Sequence, residues 1–369
     1  MNYSYWEIKE WFTNIDFTIV GSGIVGLNCA LNLKLKFPKA NVLVLEKGML
    51  PQGASSKNAG FACFGSLSEL IDDLKFHTEE EVFFLVQKRW SGLQLLRKNL
   101  GDESIGFQQN KGFELCENES IFDEYISQKD QVNKLLNPIF NRNVFSTSKN
   151  IFGFEKTHQE YIVNNLEGQI DTGKMIHQLL KKVQELGVKI LNNITVKEFV
   201  EINEKVEIKT DKINFKTNKL FIATNGFATP LLNENVQPAR AQVLITKPIK
   251  NLSIKGTFHL DKGYYYFRNI DDRILLGGGR NLDFRTEETT NFGQTKKIQN
   301  KLEHLLKTVI LPKHEFEIEY RWSGIMGVGN QKSTIIKQIS NNVFCGVRLG
   351  GMGVAIGSLI GKEMVCLLD

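Results

Sequence analysis

Three glycines and one acid have the spacing of a phosphate-binding turn. Gly21, Gly23 and Gly26 stand in G-x-G-x-x-G order, and Glu46 follows Gly26 by twenty residues. A dinucleotide needs close backbone approach and free N–H donors for its pyrophosphate, and an acceptor for its ribose hydroxyls. Gly21 permits the tight turn, Gly23 lets the pyrophosphate reach the backbone, and Gly26 lets a helix pack close to its strand. Ser22, Ile24 and Val25 complete the turn and open the helix, whose N-terminus offers unpaired N–H groups and a partial positive charge. Glu46 suits an adenosine ribose, with Lys47 beside it.

The elements around these residues make the motif specific. Asp16-Phe-Thr-Ile-Val20 predicts a strand, the residues after Gly23 have helical period, and Val42–Leu45 predict a second strand ending in the acid. Strand, glycines, helix, strand and acid together form a β-α-β unit. Soon after comes Gly53-Ala-Ser55-Ser56-Lys57-Asn58-Ala59-Gly60, a loop of small and hydrogen-bonding residues with donors for a phosphate or ribityl chain. Val196 begins a later alternating strand, and Leu220–Ala223 runs into Thr224-Asn225-Gly226. Small residues there can pass beside a cofactor without obstruction. Near the C-terminus, Gly350-Gly351-Met352-Gly353-Val354 links a strand to a helix and repeats the opening layout.

Composition bounds the rest. A chain of 369 residues can hold two domains, and its 41% hydrophobic and 24% charged residues fit a globular protein. Its net charge of +5 is too slight to call by itself for nucleic acid or a membrane. The five cysteines are odd in number and lack C-x-x-C spacing, which argues against a disulfide framework or a zinc site and suits a reducing compartment, the cytoplasm. There is no signal-peptide core and no uninterrupted transmembrane run. No metal-ligand set and no Ser-His-Asp constellation stands out, and the histidines are scattered, with His177 expected on a helix surface.

Residues 3–13 predict a short amphipathic helix with Trp6 and Trp11 at the surface, and 66–100 predict helices. Residues 101–165 mix short strands and helices, as a cap would. Asp171 caps a helix ending at Gly187, and strands follow at 188–191, 195–202 and 206–210. Ala241–Thr246, Tyr264–Arg268, Arg273–Arg280 and Phe316–Gly327 predict an antiparallel sheet, with a helix near 295–308.

In this order the pieces resemble the D-amino acid oxidase superfamily of FAD-dependent amine oxidoreductases. The carriers are Gly21–Gly26 with Glu46, Gly53–Gly60, Ala223–Gly226, Tyr264–Arg280, Trp322-Ser-Gly324 and Gly350–Val354, covering nearly the whole chain. The glycine oxidase and gamma-glutamylputrescine oxidase branch is the most similar. The resemblance implies an α/β fold: a discontinuous Rossmann-type FAD-binding domain (1–75, 166–235 and 326–369) and a substrate or cap domain (76–165 and 236–325) on a mixed, mainly antiparallel β-sheet. It also implies non-covalent FAD, since no cysteine follows Trp322 where sarcosine oxidases attach flavin. The implied reaction is oxidation of a C–N bond by hydride transfer to flavin. The imine is then hydrolysed, and O2 or another acceptor takes the electrons.

The departures concern substrate. Met326 stands where glycine oxidase has a carboxylate-binding arginine, and Gly351 stands near a second such position. Arg280, ending a predicted strand, is open between a substrate-carboxylate anchor and a surface arginine. Tyr264 aligns with a substrate-contacting tyrosine, although one or more of Tyr264, Tyr265 and Tyr266 must serve packing. Met352 replaces a family histidine and is expected over the flavin. Arg240 is open between neutralising the flavin and a structural ion pair. Leu275 and Leu276 occupy the neighbourhood of an oxygen-activating lysine, so oxidase and dehydrogenase both stand. Two further readings are a tRNA wobble-uridine modifying flavoprotein that removes a carboxymethyl group, and a flavin-binding protein without turnover.

Overall fold

The computed structural model describes residues 2–369. A reciprocal Ser4–Glu7 cap starts α1 (Tyr5–Trp11), and the first β-α-β unit follows as β1 (Ile15–Val20), α2 (Ile24–Lys36) and β2 (Val42–Leu45). A 3-10 turn at Ala54–Ser56 leads to β3 (Phe61–Ala62), α3 (Leu67–Leu74) and α4 (Glu79–Leu100). The segment expected as a cap contains β4 (Gly112–Leu115), α5 (Glu119–Ile126), α6 (Lys129–Phe140), β5 (Phe145–Lys149) and β6 (Glu160–Asn164). Next come β7 (Gly168–Gln169), α7 (Thr172–Glu185), β8 (Lys189–Leu191), β9 (Val196–Ile202), β10 (Lys205–Thr210) and β11 (Asn214–Ile222). The predicted antiparallel region is β12 (Gln237–Thr246), β13 (Thr257–Leu260), β14 (Tyr265–Ile270) and β15 (Arg273–Gly278), then α8 (Phe284–Glu287), α9 (Lys296–Leu305) and β16 (Ile318–Val328). The chain closes with β17 (Ile335–Ser340), β18 (Val343–Val347) and α10 (Gly353–Cys366).

The first sheet runs β17-β18-β11-β1-β2-β8, with β9 and β10 as a meander on β11. Strands β18, β11, β1, β2 and β8 are parallel. Helices cover one face and the meander the other, which is why β2 reads as an unbroken apolar run and β1 is apolar apart from Asp16 and Thr18. Phe17, Ile19, Val44 and Phe221 pack under α2, α7 and α10. Val20, Leu45 and Ile222 point the other way, against Val206 and Ile208. Full burial of a side chain such as Leu31 contributes about 1.5–3 kcal/mol.

The second sheet runs β16-β12-β15-β14-β13-β4-β6-β5 and is antiparallel except for the parallel pair β13–β4. Its strands alternate cleanly. Leu244, Leu276, Phe267, Phe258 and Phe113 form one row across neighbouring strands and share a core with Ile298 and Leu302 of α9. The next row, on the opposite face, is Trp322, Val243, Gly277, Tyr266, His259 and Glu114. That face looks toward the 53–61 loop, where Ala59 and Phe61 pack on Val243 and Leu275. The pairing of β16 with β12 continues through Met326↔Ala239 to Val328↔Gln237, so the domain break expected before residue 326 falls inside a strand. Among the described residues, no helix is long and apolar enough to cross a membrane.

Candidate functional site

A cavity of about 780 Å³ lies between the sheets and is lined by residues of both. One end is made mostly of backbone. Helices α2 and α10 both start there, with cap residues Gly23 and Met352 that contribute no side-chain hydrogen bond. Gly21 has φ +104°, and a Cβ on it would lie 2.9 Å from the Ala223 carbonyl oxygen. A Cβ on Gly26 would lie only 1.9 Å from the Gly21 carbonyl oxygen. The glycine turn and the helix are therefore in direct backbone contact. Gly350 (φ +58°) and Gly351 (φ +87°) make the second turn in the left-handed region.

Twenty-one of the expected site residues line this cavity, among them Gly21, Gly23, Ile24, Val25, Glu46 and Lys47. Ser55, Lys57, Asn58, Ala59 and Val196 do so as well, with Thr224 and Asn225. Gly350, Gly351, Met352, Gly353 and Val354 contribute the α10 side, and Tyr264, Arg280 and Met326 the other end. Ser22, Gly26, Ser56 and Gly226 do not line it. Ser22 is buried, and its N–H and hydroxyl donate to Glu46 Oε2 at 3.1 and 2.7 Å. Gly26 is beneath the turn. The Ser56 hydroxyl turns away to the Pro51 carbonyl. Gly226 packs on β16, where a Cβ would lie 2.5 Å from the Met326 carbonyl oxygen.

Several lining residues also hold their own loops. Asn58 donates to the Ser55 carbonyl at 2.8 Å and accepts from Gly60 N and the Thr172 hydroxyl, so its amide braces the loop rather than offering free donors. Asn225 accepts from Arg348 N and Leu349 N at 3.0 and 3.2 Å, tying the turn after β11 to the last one. Ser55 Oγ accepts from Ile24 N at 2.9 Å. Glu46 Oε1 accepts from Gly48 N at 3.0 Å, leaving one of its two lone pairs for a ligand. The Lys47 ammonium lies 3.1 Å from the centre of the Phe227 ring, and burial lowers its pKa.

These residues fit FAD. Two helix N-termini whose own cap residues donate no side chain suit a pyrophosphate and a polar ring edge. Glu46 keeps an acceptor for a ribose, and the buried Thr224 hydroxyl has no hydrogen-bond partner in the protein. Among the described residues, no group of His, Cys, Asp or Glu is placed to hold a metal ion.

The other end is made of side chains. Met326 and Gly351 meet, since a Cβ on Gly351 would lie 3.6 Å from Met326 Sδ. The two positions at which the resemblance implied an arginine are thus adjacent, and neither is charged. Arg280 follows Gly278 and Gly279, which have φ +118° and +81°. Its guanidinium lies 4.8 Å from the Phe284 ring centre, which is itself 6.1 Å from Tyr264. Of the three tyrosines, Tyr265 packs in the far core, while Tyr264 and Tyr266 line the cavity. Arg240 is on the far face, bidentate to Glu287 at 2.8 and 2.9 Å, so the structural ion pair holds.

Sequence reasoning missed one buried pair. His259 Nε2 is 2.7 Å from Glu167 Oε1, which also accepts from the Thr257 hydroxyl at 2.7 Å. Burial lowers the His259 pKa, but the Glu167 carboxylate outweighs it and raises the value to about 9. Burial pushes Tyr266 up to about 12. Glu167, between β6 and β7, and His259 lie 92 residues apart, so only the tertiary fold brings them together.

Comparison with known proteins agrees with this arrangement. The family described as "DAO: FAD dependent oxidoreductase" matches residues 16–367. A probable oxidoreductase, OrdL, of Haemophilus influenzae is 23% identical over 94% of this chain and 81% of its own length. The crystal structure of L-proline dehydrogenase from P. horikoshii superposes with a TM-score of 0.78 at 19% identity, covering 96% of this chain and 93% of that one. Glycine oxidase from Bacillus cereus gives 0.74 at 16% identity, covering 96% and 94%. The chain belongs to the DAO family of FAD-dependent oxidoreductases, and FAD is its cofactor.

Proposed function

We propose that the protein oxidises the C–N bond of a small amine or amino acid, and that Arg280 anchors a substrate carboxylate. The observation that carries this reading is the state of the Arg280 guanidinium. It lines the cavity beside Tyr264 and has an aromatic neighbour but no hydrogen bond or ion pair. Burial lowers its pKa, with Tyr264 and Glu287 opposing. A bound carboxylate would supply the charge-assisted, bidentate partner it lacks. The names of L-proline dehydrogenase, glycine oxidase and L-amino acid deaminase, which share the fold, support amino-acid chemistry.

FAD, when bound, supplies the acceptor for a hydride from the carbon bearing the amine and passes the electron pair to O2 or another acceptor. The chain's own part is positioning. Arg280 fixes the substrate's acidic end, and Phe61, Val243 and Tyr266 give the cavity a largely apolar floor. The imine product takes up water to give a carbonyl compound and an amine or ammonia. In this reading residues 1–75, 166–235 and those after β16 form the FAD-binding part, and the second sheet with its helices holds substrate. Anaerobic mixing of the holoprotein with amines, N-alkyl glycines and D-amino acids tests it by bleaching of the flavin absorbance. If no member of the panel bleaches the flavin, the reading falls.

A further inference from the structure

Three elements meet at the open side of the cavity, and lysines hold two of them to the third. Lys332, in the loop between β16 and β17, and Lys262, in the turn between β13 and β14, both line the cavity. Their side chains are also 47% and 40% exposed. Arg89, on α4, and His259 line the same cavity but are only 5% exposed. Side chains that face both water and the cavity mark its mouth, and Arg89 and His259 lie deeper. Tyr264 follows the 261–263 turn and is also exposed, so the mouth opens at the end where we propose that substrate binds.

The third element, α3, is a fixed post. Ser66 and Glu69 form a reciprocal cap at its start. The Ser68 N–H and hydroxyl donate to the buried Glu114 carboxylate, and Leu67, Leu70 and Ile71 share a core with Val82 and Val86 of α4. Both lysines reach acids at its other end. Lys262 is 3.5 Å from Asp72, and Lys332 pairs with Asp73.

The two lysines stand on different supports. The turn that carries Lys262 is braced: Tyr264 N donates to the Asp261 carbonyl at 2.9 Å, and the Asn281 amide donates to the Asp261 carboxylate at 3.0 Å. Residues 329–334, by contrast, make no backbone–backbone hydrogen bond among the described residues. Side chains hold them instead. At the base, Arg348 Nε donates to the Ser333 carbonyl at 3.0 Å, and the arginine stem lies against Gly329. At the tip, Lys332 on Asp73 is the one polar contact from this loop to α3 among the described residues. Asp73 is buried, and its Oδ2 has no hydrogen-bond partner. Arg89 also interacts electrostatically with Asp73, so the carboxylate keeps a counter-charge when the lysine leaves. The pair can therefore open without leaving an uncompensated buried acid.

We propose that residues 329–334 are a strap over the mouth, latched by Lys332 on Asp73, and that the latch sets how readily small solutes reach the flavin. The inference goes beyond the C–N oxidation reading and does not depend on it. Arg348, the anchor of the strap, stands two residues before Gly350 of the second cofactor turn, so strap and cofactor end share a support.

The test follows bleaching of the holoprotein's flavin by dithionite in stopped flow, which needs no substrate. In Lys332→Met the bleaching rate is expected to rise about two- to tenfold, the factor that a half-exposed ion pair contributes to an opening equilibrium. Loss of a positive charge alone has the opposite sign, because dithionite is an anion. Lys262→Met supplies that control. It removes a charge from the same rim with the strap still latched, and its rate should fall or stay level. Asp73→Asn keeps both lysines and should match Lys332→Met, and the double variant should be no faster than either. Flavin content and melting temperature check each fold. Equal rates in Lys332→Met and Lys262→Met, no gain in a flavin-replete Asp73→Asn, or gains that multiply in the double variant would overturn the inference and leave the loop a fixed wall. If Asp73→Asn loses its flavin, the comparison of the two lysine variants decides alone.

Discussion

The two ends of the cavity are built from different materials. The cofactor end uses backbone: a turn at Gly21–Gly26, another at Gly350–Gly351, and the N-termini of α2 and α10. The other end, where we propose that substrate binds, is lined by Glu69, Arg89, His259, Tyr264 and Arg280, carried by two helices, one strand and two strand ends. A backbone site demands particular φ values and close approaches, so it constrains residues that are neighbours in sequence. A side-chain site demands only that remote segments arrive in register. One of these is a tolerance problem and the other an assembly problem.

The largest expected effect follows from the first. Gly26→Ala puts a Cβ 1.9 Å from a backbone oxygen that cannot yield without moving the phosphate turn. The variant is expected to lose bound FAD or to be insoluble, read from the flavin absorbance of the purified protein. If it retains full flavin content, the turn is not the close-packed element described here.

The same contrast decides what the sequence makes legible. Gly21, Gly23, Gly26 and Glu46 are readable because one β-α-β unit contains the whole device. Even there, the Ser22 hydroxyl on Glu46 and the inward turn of the Asn58 amide are not readable, since each depends on which of several local acceptors wins. Tyr264 and Arg280 were reachable only through likeness to relatives. His259 had no signal at all. It is one residue in an alternating strand, and its meaning comes from Glu167 and from the pairing of β13 with β4. Arg89 reads as a helix-surface residue until α3 and β3 close over it. β17 was missed because Ile335–Ser340 is short and lies half-buried at a sheet edge.

Arg280→Met tests whether the substrate end is energetically separate from the fold. The guanidinium has no hydrogen-bond or ion-pair partner in the protein, only the Phe284 ring, so its loss should leave flavin content and melting temperature nearly unchanged. Substrate affinity should fall by about ten- to a hundredfold, the range for a hydrogen-bonded charge. A drop in stability with affinity preserved would make Arg280 a structural residue and remove the proposed anchor.

The buried His259–Glu167 pair predicts a pH dependence that the cofactor end has no comparable group to produce. The folded-state pKa of His259 is raised from 6.5 to about 9. Its contribution is therefore complete below the unfolded value and is lost as pH rises through about 9. Unfolding free energy from urea titrations should decline by about 1–3 kcal/mol across that window. Tyr266, pushed up to about 12, stays neutral throughout it. In His259→Gln the decline should flatten. A profile unchanged by that substitution would assign the titration elsewhere.

The smallest effect separates the rim of the substrate end from its interior. Lys262 and Asp72 are 3.5 Å apart, with side chains 40% and 37% exposed, so water screens their attraction and ordering the lysine costs side-chain entropy. Lys262→Ala should therefore cost less than about 1 kcal/mol in urea unfolding, and less still at high salt. Arg240 and Glu287 provide the internal reference, because their carboxylate is fully buried and accepts two guanidinium N–H groups. Removing Glu287 by Glu287→Ala strands that guanidinium and the Gln242 amide without their acceptor, a loss of about 3–5 kcal/mol. If the two substitutions cost the same, burial is not what sets the strength of ion pairs in this half of the molecule.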